Sequence, residues 1–371
     1  MKNLSKFLLS VIIPVKINEN NYFIIGRLKR ILSFFQRNKN IEFVVIDSTE
    51  SLEVTKDLQQ VVDSHHNTKF IYLENKEPYS AAIARNAGVK SCSGEYVVFF
   101  DVDLLSKLSF FNDMLNDAKS LQNISKSAFT VYPCLYLSAK FSENIEFELD
   151  MNGNNGFESS LNEVFKSCLA GSKNKVLYPA INTSTILVNK EHFLSIGGYK
   201  ECFSGHGYED FFLIHELSYY YPLARKGKDY SRDYKTDYPG LYLGFRRYFT
   251  FYALENLFRG MYTVHLYHER DRKRNYYLKR EKNSEVFQKN LSVFSNSIAT
   301  TEFIKYNNYQ KFIQHTITSY GYSKRQVRGL YRNHKNKGIK NQSYLLYRKS
   351  RKFIRDPKQF FADISFKRYW H

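Results

Sequence analysis

Short apolar runs alternate with segments of helical spacing through the first hundred residues of the chain. Each run has the length and continuous hydrophobicity of a strand that is buried on both faces. The predicted strands are 8–15, 41–46, 69–73 and 95–100, and the predicted helices between them are 21–37, 50–63 and 79–91. This alternation predicts an α/β protein with a parallel, doubly wound sheet.

The middle of the chain carries weaker signals. Residues 150–175 contain two glycine-rich stretches, at 152–156 and 171–173, that are typical of loops. A strand at 185–188, a short helix from Glu191 and a helix over 211–220 follow. Between 228 and 238 an Asp-Tyr pair recurs every four residues, which fits either a solvated helix face or a loop that binds sugar hydroxyls. Beyond residue 270 the segments look helical, with polar breaks near 283–300 and 333–342.

Two aspartates follow the fourth predicted strand. Asp101 and Asp103 lie at its carboxyl end, which is where open α/β sheets bind ligands. In an extended chain, residues i and i+2 point to the same side, and adjacent carboxylates repel unless a cation lies between them. The pair therefore predicts a site for a hard divalent metal. The alternative is structural, because aspartates also end strands and begin turns.

A second acidic pair follows a glycine-rich turn. Four glycines lie between residues 197 and 207, and Glu209 and Asp210 come directly before the predicted helix 211–220. The two acids could simply cap that helix and complement its dipole. Capping does not account for the glycines, which permit positive φ and close backbone approach, and which therefore indicate a ligand held against the turn.

Two histidines, His265 and His268, form a third element. By itself an H-x-x-H pair is more typical of a protein surface than of a metal site. Together with Asp101 and Asp103, it supplies the nitrogen ligand of a mixed carboxylate and imidazole site suited to Mn²⁺.

Charge divides the chain into two parts. The whole chain has 55 Lys and Arg against 36 Asp and Glu, a net charge of +19. Residues 271–371 hold 24 of those basic and 6 of those acidic residues, which leaves 31 and 30 for residues 1–270. A nearly neutral body with a basic tail fits a polyanionic partner: an anionic membrane surface, an acidic polysaccharide or nucleic acid.

The cellular compartment is indicated by two further patterns. The four cysteines are dispersed and form no C-x-x-C pair, which is typical of a reducing compartment. Pro14 stands where a signal peptide would be cleaved, and no apolar run reaches the ~20 residues of a membrane span. We therefore expect a cytoplasmic protein, with a peripheral position on the inner membrane as the alternative.

Seven motifs in order resemble those of family 2 glycosyltransferases with the GT-A fold, over about residues 8–270. They are Val11-Ile12-Ile13-Pro14, Val44-Val45-Ile46-Asp47, Ala84-Arg85-Asn86-Ala87-Gly88, Gly94 to Asp103, Gly197-Gly198-Tyr199, Gly205-x-Gly207-x-Glu209-Asp210 and His265-x-x-His268. The last two look most like the galactosyl and N-acetylhexosaminyltransferase branch, including bacterial capsule and chondroitin-type polymerase modules. Residues 351–363 also resemble a tail found on capsule and lipopolysaccharide enzymes. The resemblance implies a Rossmann-like, mixed and mainly parallel sheet flanked by helices, followed here by a basic helical extension.

The resemblance also implies roles for individual residues. Pro14, Val15 and Asp47 would bind the nucleoside, Arg85 and Asn86 would hold the nucleotide side of the donor, and Asp101 would reach the ribose or the metal. Asp103 with His268 or His265 would bind the metal, Asp210 would be the general base, and Glu209 would orient the acceptor. Two positions depart from the family pattern: His206 stands in place of a tryptophan, and Tyr208 in place of a third glycine.

The function implied is an inverting, metal-dependent transfer of a hexose or N-acetylhexosamine from a UDP-sugar, with Mn²⁺ or Mg²⁺. The acceptor would be an oligosaccharide or lipid-linked saccharide in capsule or O-antigen synthesis. Residues 1–270 would form the catalytic domain (8–103 nucleotide-binding, 104–270 acceptor-binding), and 271–371 the extension. In residues 343–371, basic and aromatic residues interleave, which fits either a helix on an anionic membrane or a helix packed on the catalytic domain.

Two other functions compete with this one. A catalytically silent sugar-binding protein would share the fold, although Asp103, Asp210 and His268 are all present. A nucleic-acid-binding protein would use the basic, aromatic tail. The neutral body and its ordered acidic residues speak against nucleic acid, so none is expected as a partner.

Overall fold

The computed structural model describes residues 8–35, 38–74, 77–234, 236, 238–269, 275–294 and 302–330. These residues all fall within one compact unit, whose bounds are Met1 and Tyr331. The helix predicted within 343–371 lies outside the described residues, as does the polar break predicted at 333–342. The basic character of that segment is therefore known from the sequence alone.

Eleven strands are found in the described part of the chain. They are β1 (Leu9–Val15), β2 (Ile41–Asp47), β3 (Thr68–Tyr72), β4 (Tyr96–Phe99), β5 (Leu104–Leu105), β6 (Phe129–Val131), β7 (Cys134–Leu137), β8 (Val176–Ala180), β9 (Ile186–Asn189), β10 (Asp233–Tyr234) and β11 (Thr263–His265). The first four confirm the strands predicted from the apolar runs.

Twelve α-helices lie in the same described part. They are α1 (Ile24–Phe35), α2 (Leu52–Asp63), α3 (Ala81–Ser91), α4 (Phe110–Ile124), α5 (Ala139–Ala170), α6 (Lys190–Ser195), α7 (Glu209–Tyr220), α8 (Gly244–Phe249), α9 (Leu254–Phe258), α10 (Asn275–Leu278), α11 (Arg280–Phe294) and α12 (Tyr309–Ser319). None of these helices is long and apolar enough to cross a lipid bilayer.

The main sheet has six strands in the order β3-β2-β1-β4-β9-β6. Its first four strands run parallel, and every residue of β1 and β2 is buried, as expected for strands covered by helices on both faces. Strand β9 pairs antiparallel with β4 and with β6, so the sheet is mixed and mainly parallel, as predicted. Val15 lies opposite Asp47 in the register, and the carboxyl ends of β1, β2 and β4 share one edge.

A second sheet, in the order β5-β11-β7-β8, carries the chain away from that edge. Strand β5 begins directly after Asp103 and runs antiparallel to β11, with Leu104 opposite His265. The backbone N–H of Leu266 also donates to the carbonyl of Asp103 (2.9 Å). This pairing brings two segments together that are about 160 residues apart in the sequence.

The predicted loop over 150–175 is wrong for most of its length. Residues Ala139–Ala170 form one helix, and only Gly171, with φ 73°, ends it in the left-handed conformation. Glycine and asparagine disfavour helix, but the apolar residues on either side recur at helical spacing and pack into the core. Ile145, Phe157, Leu161 and Val164 are each less than 5% exposed. Tertiary burial therefore overrides the local signal.

The Asp-Tyr segment is not a helix in its described residues, 228–234, 236 and 238; it is a loop apart from the two-residue strand β10 (Asp233–Tyr234). Two of its aspartates form ion pairs: Asp229 with Arg247 (2.6 Å), and Asp233 with Arg246. Tyr230 is buried. These contacts anchor the loop on α8, and sugar binding by these aspartates stays a prediction.

The described residues after 270 pack on the rest of the compact unit. Asn283 on α11 donates to the carbonyl of Ser204 (2.9 Å), and the hydroxyl of Tyr309 on α12 donates to the carbonyl of Pro239 (2.7 Å). The described residues of this region include the helices α11 and α12, as predicted. The polar break predicted near 283–300 is wrong over 283–294, which belong to α11, and residues 295–300 lie outside the described part of the chain. The division of the chain at residue 270 stays a prediction.

Gly88 on α3 faces the sheet, and its missing side chain lets the helix approach closely. A Cβ atom there would lie 2.6 Å from Ile12 Cγ2 and from Ile46 Cδ1, both in the fully buried core. We expect Gly88→Ala to lower the free energy of unfolding by about 1–3 kcal/mol relative to its matched control, because overpacking shifts the sheet. The control is Gly26→Ala on α1, where no atom lies within 4 Å of the added methyl group.

Urea denaturation of the two variants measures this difference. Gly26→Ala gains helix propensity without a clash and is expected to stabilise the protein by about 0.5–1 kcal/mol. Equal shifts for the two variants would show that the sheet accommodates a larger residue at Gly88.

Candidate active site

A single cleft of about 1450 Å³ collects most of the residues predicted to act. It lies at the carboxyl edge of the main sheet, between that edge, the second sheet and the start of α7. The predicted residues that line it are Pro14, Arg85, Asp101, Asp103, Glu209, Asp210, His265 and His268. Sequence patterns from five separate regions therefore meet in one place.

Arg85 on α3 connects three carboxylates in this cleft. Its side chain is only 3% exposed, and its Nη1 lies 2.9 Å from Asp210 Oδ1 and 3.5 Å from Glu209 Oε1. Nη2 lies 2.9 Å from Asp101 Oδ1. The guanidinium also lies 5.2 Å from the centre of the Tyr199 ring. One buried cation therefore supports the end of β4 and the start of α7 at the same time.

The acidic pair lies on the first turn of α7. Burial, together with the neighbouring Asp210 carboxylate, raises the pKa of Glu209 to about 8, while Arg85 opposes the rise. Burial also raises the pKa of Asp210, while Arg85 opposes that rise. Such shifts arise because a low-dielectric site disfavours a second negative charge. The pair is therefore suited to sharing one proton near neutral pH.

The two acids differ in what they contact. Glu209 is buried, and its Oε2 has no hydrogen-bond partner among the described residues. Asp210 lines the cleft and accepts from Arg85 and from the Tyr199 hydroxyl (3.2 Å), both through Oδ1. Its other oxygen, Oδ2, can receive a hydrogen bond from an incoming hydroxyl. Asp210 has the geometry of a base, and Glu209 that of a buried support.

Asp101 and Asp103 do not act as a matched pair, and the premise that they lie in extended chain is wrong. Strand β4 ends at Phe99, and the backbone turns at residues 102–103. Asp101 accepts from Arg85 and from the Ser184 hydroxyl (3.0 Å). Asp103 instead pairs with Arg27 and faces His268. The turn directs the two carboxylates to different neighbours.

The residues that could hold a metal ion are Asp103, His265 and His268. One ligand atom from each lies within 4.8 Å of the others, and Asp103 Oδ2 is 3.5 Å from His268 Nε2. Asp101 is not part of this group. One carboxylate and two imidazoles form a mixed oxygen and nitrogen donor set that can hold Mn²⁺ or another first-row divalent metal, and three protein ligands leave positions for substrate oxygens. The donor set therefore fits the metal that the sequence implied.

Arg27 on α1 is a site residue that the sequence did not reveal. It is 7% exposed, contacts Asp103 Oδ1 through Nη1 and donates to the carbonyl of Tyr267 through Nη2 (3.0 Å). Its Nε lies 3.4 Å from Glu146 Oε1. The available signal was its position among Ile24, Leu28 and Ile31 on the apolar face of α1, where a charged residue needs a buried partner.

Three predicted nucleotide-binding residues are not among those that line the cleft. Val15 is buried in β1, and Asp47 accepts from the Thr49 N–H (2.9 Å) and the Thr55 hydroxyl (2.8 Å). The side-chain amide of Asn86 makes two hydrogen bonds to the backbone of Tyr199. Its Oδ1 accepts from the Tyr199 N–H (2.9 Å), and its Nδ2 donates to the Tyr199 carbonyl (2.8 Å). In this structure Asn86 fixes the glycine turn. Donor binding by these three residues stays a prediction.

The glycine turn before α7 has the backbone that its sequence predicts. Gly205 and Gly207 have φ of 68° and 92°. Protein lies against one side of the turn, since a Cβ on Gly205 would be 2.5 Å from the Tyr276 carbonyl oxygen, whereas Gly207 lines the cleft. Tyr208, with φ 77°, also adopts the left-handed conformation, which is costly for a bulky residue. Its hydroxyl donates to Asp233 (2.8 Å), which holds it in place.

Comparison with known proteins adds to this geometry. The family model described as "Glycosyltransferase like family 2" matches residues 10–293. An uncharacterized glycosyltransferase of Rickettsia conorii is 33% identical over 107 residues, which are 29% of this chain and 16% of that protein. The match thus spans about one sixth of the length of that relative.

Similar solved structures have low sequence identity. A mannosyltransferase of Pyrobaculum calidifontis, in complex with GDP-Man and Mn²⁺, has a TM-score of 0.44 at 14% identity and covers 98% of this chain and 87% of its own. TarS of S. aureus (residues 1–349) has a TM-score of 0.36 at 16% identity, and the match covers 56% of this chain and 54% of TarS 1–349. Glucosyl-3-phosphoglycerate synthase of Mycobacterium tuberculosis has a TM-score of 0.34 at 14% identity, and the match covers 58% of this chain and 67% of the synthase.

Proposed function

The chain belongs to the glycosyltransferase-like family 2, and from that premise we propose that it transfers a sugar from a nucleotide-sugar to a saccharide acceptor in the cleft described above. Its mixed α/β sheet, flanked by helices, is consistent with the GT-A fold. The observation that carries the proposal is the meeting of a buried acidic pair and an Asp-His-His cluster in one cleft.

The proposed chemistry is a direct displacement with inversion at the anomeric carbon. Asp210 Oδ2 accepts the proton of the acceptor hydroxyl while that oxygen forms the new bond to the anomeric carbon. The bond from that carbon to the diphosphate oxygen breaks, and the electron pair leaves with the nucleoside diphosphate. Arg85 keeps Asp210 oriented, and the raised pKa of Glu209 favours its protonated form near neutral pH, which removes one neighbouring negative charge from the base.

Asp103, His265 and His268 would hold the divalent ion, Mn²⁺ or Mg²⁺, that neutralises charge on the departing diphosphate. Arg27 occupies one oxygen of Asp103, which leaves the other oxygen to face the histidines. The carboxylate would therefore bind the ion through a single oxygen.

We further propose a UDP-sugar as the donor, carrying a hexose or N-acetylhexosamine. The acceptor is proposed to be an oligosaccharide or lipid-linked saccharide of a capsule or O-antigen. Both proposals are supported by the motifs of the galactosyl and N-acetylhexosaminyltransferase branch, above all Gly205-x-Gly207-x-Glu209-Asp210 followed by His265 and His268. A screen of UDP- and GDP-sugars, scored by release of the nucleoside diphosphate, would identify the donor.

Removal of the carboxylate at position 103 tests the metal site. We expect Asp103→Ala to abolish metal-dependent turnover, because it removes the oxygen ligand, and EDTA to do the same to the unaltered protein. Asp103→Asn retains an acceptor for Arg27 and separates loss of the metal ligand from loss of that contact. The matched control is Asp63→Ala, which removes an exposed carboxylate at the end of α2.

Calorimetry with UDP and Mn²⁺ completes this test. Turnover that survives EDTA and Asp103→Ala would contradict the metal-dependent mechanism. UDP binding without turnover for any donor or acceptor would instead favour the catalytically silent sugar-binding protein.

A further inference from the structure

A second cleft, of about 840 Å³, lies apart from the candidate active site and is not used by the proposed chemistry. Its walls come from the last turns of α5, from the segment after β5, from α9 with the start of β11, and from residues 322–328. The two clefts share no lining residue. The second cleft therefore requires its own explanation.

Aromatic rings form one wall of the second cleft. Phe165 stacks on Tyr262, with ring centres 5.5 Å apart and planes within 14°. Tyr322 contacts both Phe165 (6.2 Å) and Phe258 (5.5 Å) edge-on or tilted. Phe165 and Tyr322 are only partly buried, so both rings offer apolar surface to a ligand, and Tyr322 adds a hydroxyl group.

Cationic side chains form the rim of this cleft. Five of them line it, against a single carboxylate, Glu158, which accepts from the backbone N–H of Leu108 (2.9 Å). The five are Lys107, Lys166, Arg259, Arg325 and Arg328.

Three of the five cations form no ion pair among the described residues. Lys107 pairs with Asp113 (2.7 Å) and Arg259 with Asp117. In the part of the chain that the structure describes, no carboxylate lies within 4 Å of Lys166, Arg325 or Arg328. The rim therefore presents an excess of positive charge next to aromatic surface. Lys166 also attracts the Glu163 carboxylate, and Arg328 donates to the Ala170 carbonyl (3.2 Å).

The second cleft is connected to the candidate active site by one pair of strands. Asp103 and His265 lie at one end of the β5–β11 pair. Ser106 and Tyr262 lie at the other end, where the Ser106 hydroxyl donates to the Tyr262 carbonyl (2.6 Å). Three or four residues of extended chain span about 10–13 Å. A short run of linked sugars could therefore reach from one cleft to the other.

We propose that the second cleft binds an anionic saccharide, a stretch of the acceptor chain that carries carboxylate or phosphate groups. Aromatic rings would cover the apolar faces of the sugar rings, and the arginines and Lys166 would pair with the anionic groups. The final segment of this chain, residues 331–371, is itself basic, and like charge disfavours it as the occupant. This inference rests on the proposed function, since it assigns the acceptor's chemical class.

Charge reversal on the rim tests the proposal. The probe is a hyaluronan hexasaccharide, which carries carboxylates on alternate sugars, and its neutral counterpart is chitohexaose. We expect the double variant Lys166→Glu/Arg325→Glu to weaken binding of the hyaluronan probe about tenfold or more. The neutral double variant Lys166→Gln/Arg325→Gln is expected to weaken it less. The matched control is Lys119→Glu/Lys311→Glu, which makes the same charge change at exposed positions outside the cleft.

Fluorescence or calorimetric titration gives the affinities, and UDP with Mn²⁺ is titrated into the same proteins. Two results together support the proposal. The rim variants lose hyaluronan binding while the control variants keep it, and the unaltered protein binds chitohexaose and inorganic phosphate much more weakly than hyaluronan. Equal hyaluronan affinity in rim and control variants overturns it, as does tighter binding of a single-stranded oligonucleotide of matched charge. Absence of UDP binding in the unaltered protein would count against the proposed function and not against this cleft.

Discussion

Asp210→Asn is expected to lower the rate of sugar transfer by about 10²–10⁴-fold, which is the usual contribution of a positioned general base. The amide retains an oxygen that can accept from Arg85 and Tyr199, so the first turn of α7 keeps its contacts. It cannot take up the acceptor's proton at neutral pH. The rate constant should therefore fall while the dissociation constant for the nucleotide stays nearly unchanged.

The control for this prediction lies on the same helix. Glu216→Gln removes a carboxylate that pairs with Lys200 (2.8 Å) and does not line the cleft. Its rate should stay within a small factor of the unaltered protein's. If Asp210→Asn instead loses affinity for the nucleotide-sugar and keeps its maximal rate, Asp210 belongs to the donor-binding side, and another group is the base.

Arg85→Met is expected to destabilise the protein by about 3–5 kcal/mol, the cost of removing one partner from a buried ion cluster. Methionine fills a similar volume, so the loss would come from the carboxylates of Glu209, Asp210 and Asp101, which would lose their shared cation. Urea denaturation near neutral pH measures the change.

Two further variants isolate the electrostatic cause of this loss. Arg30→Met removes an arginine that also contacts two carboxylates, Glu146 (3.0 Å) and Asp150 (3.2 Å), but at a more exposed position. Its cost should be at most about 1 kcal/mol, as for other surface pairs. Adding Glu209→Gln to Arg85→Met should recover part of the lost stability. No recovery would mean that Arg85 acts mainly through packing on Tyr199.

The parallel strands of the main sheet could be predicted from the sequence. A strand that is buried on both faces consists almost entirely of apolar residues, which appear in the sequence as an unbroken apolar run. The runs at 8–15 and 41–46 match β1 and β2 to within one residue at each end. Helix α5 was not readable, because its glycines and asparagines give a strong local signal for a loop, and only packing reveals the helix. Local signals predict an element well when they agree with its burial.

The site was predictable as a set of residues but not as a set of contacts. Asp101, Asp103, the glycine turn and the histidine pair reach one cleft, since the topology brings them to one edge, whereas Val15, Asp47 and Asn86 do not line it. The pairing of Asp101 with Arg85 and of Asp103 with Arg27 depends on a turn after Phe99 that no spacing rule predicts. Arg27 escaped notice because arginines on helices usually face solvent.

The residues that pack against the glycine turn before α7 are synthesised after the turn itself, and this order has a consequence for folding during translation. The backbone and side chains that press on Gly205 and Gly207 belong to Tyr276, Lys279 and Arg280. These residues leave the ribosome about 70 residues after Asp210, a delay of roughly 3–14 s at the usual rate of synthesis of about 5–20 residues per second. Throughout that interval the turn that carries the acidic pair is open on one side. The nascent chain therefore completes the surroundings of the proposed base only after its main sheet has been synthesised.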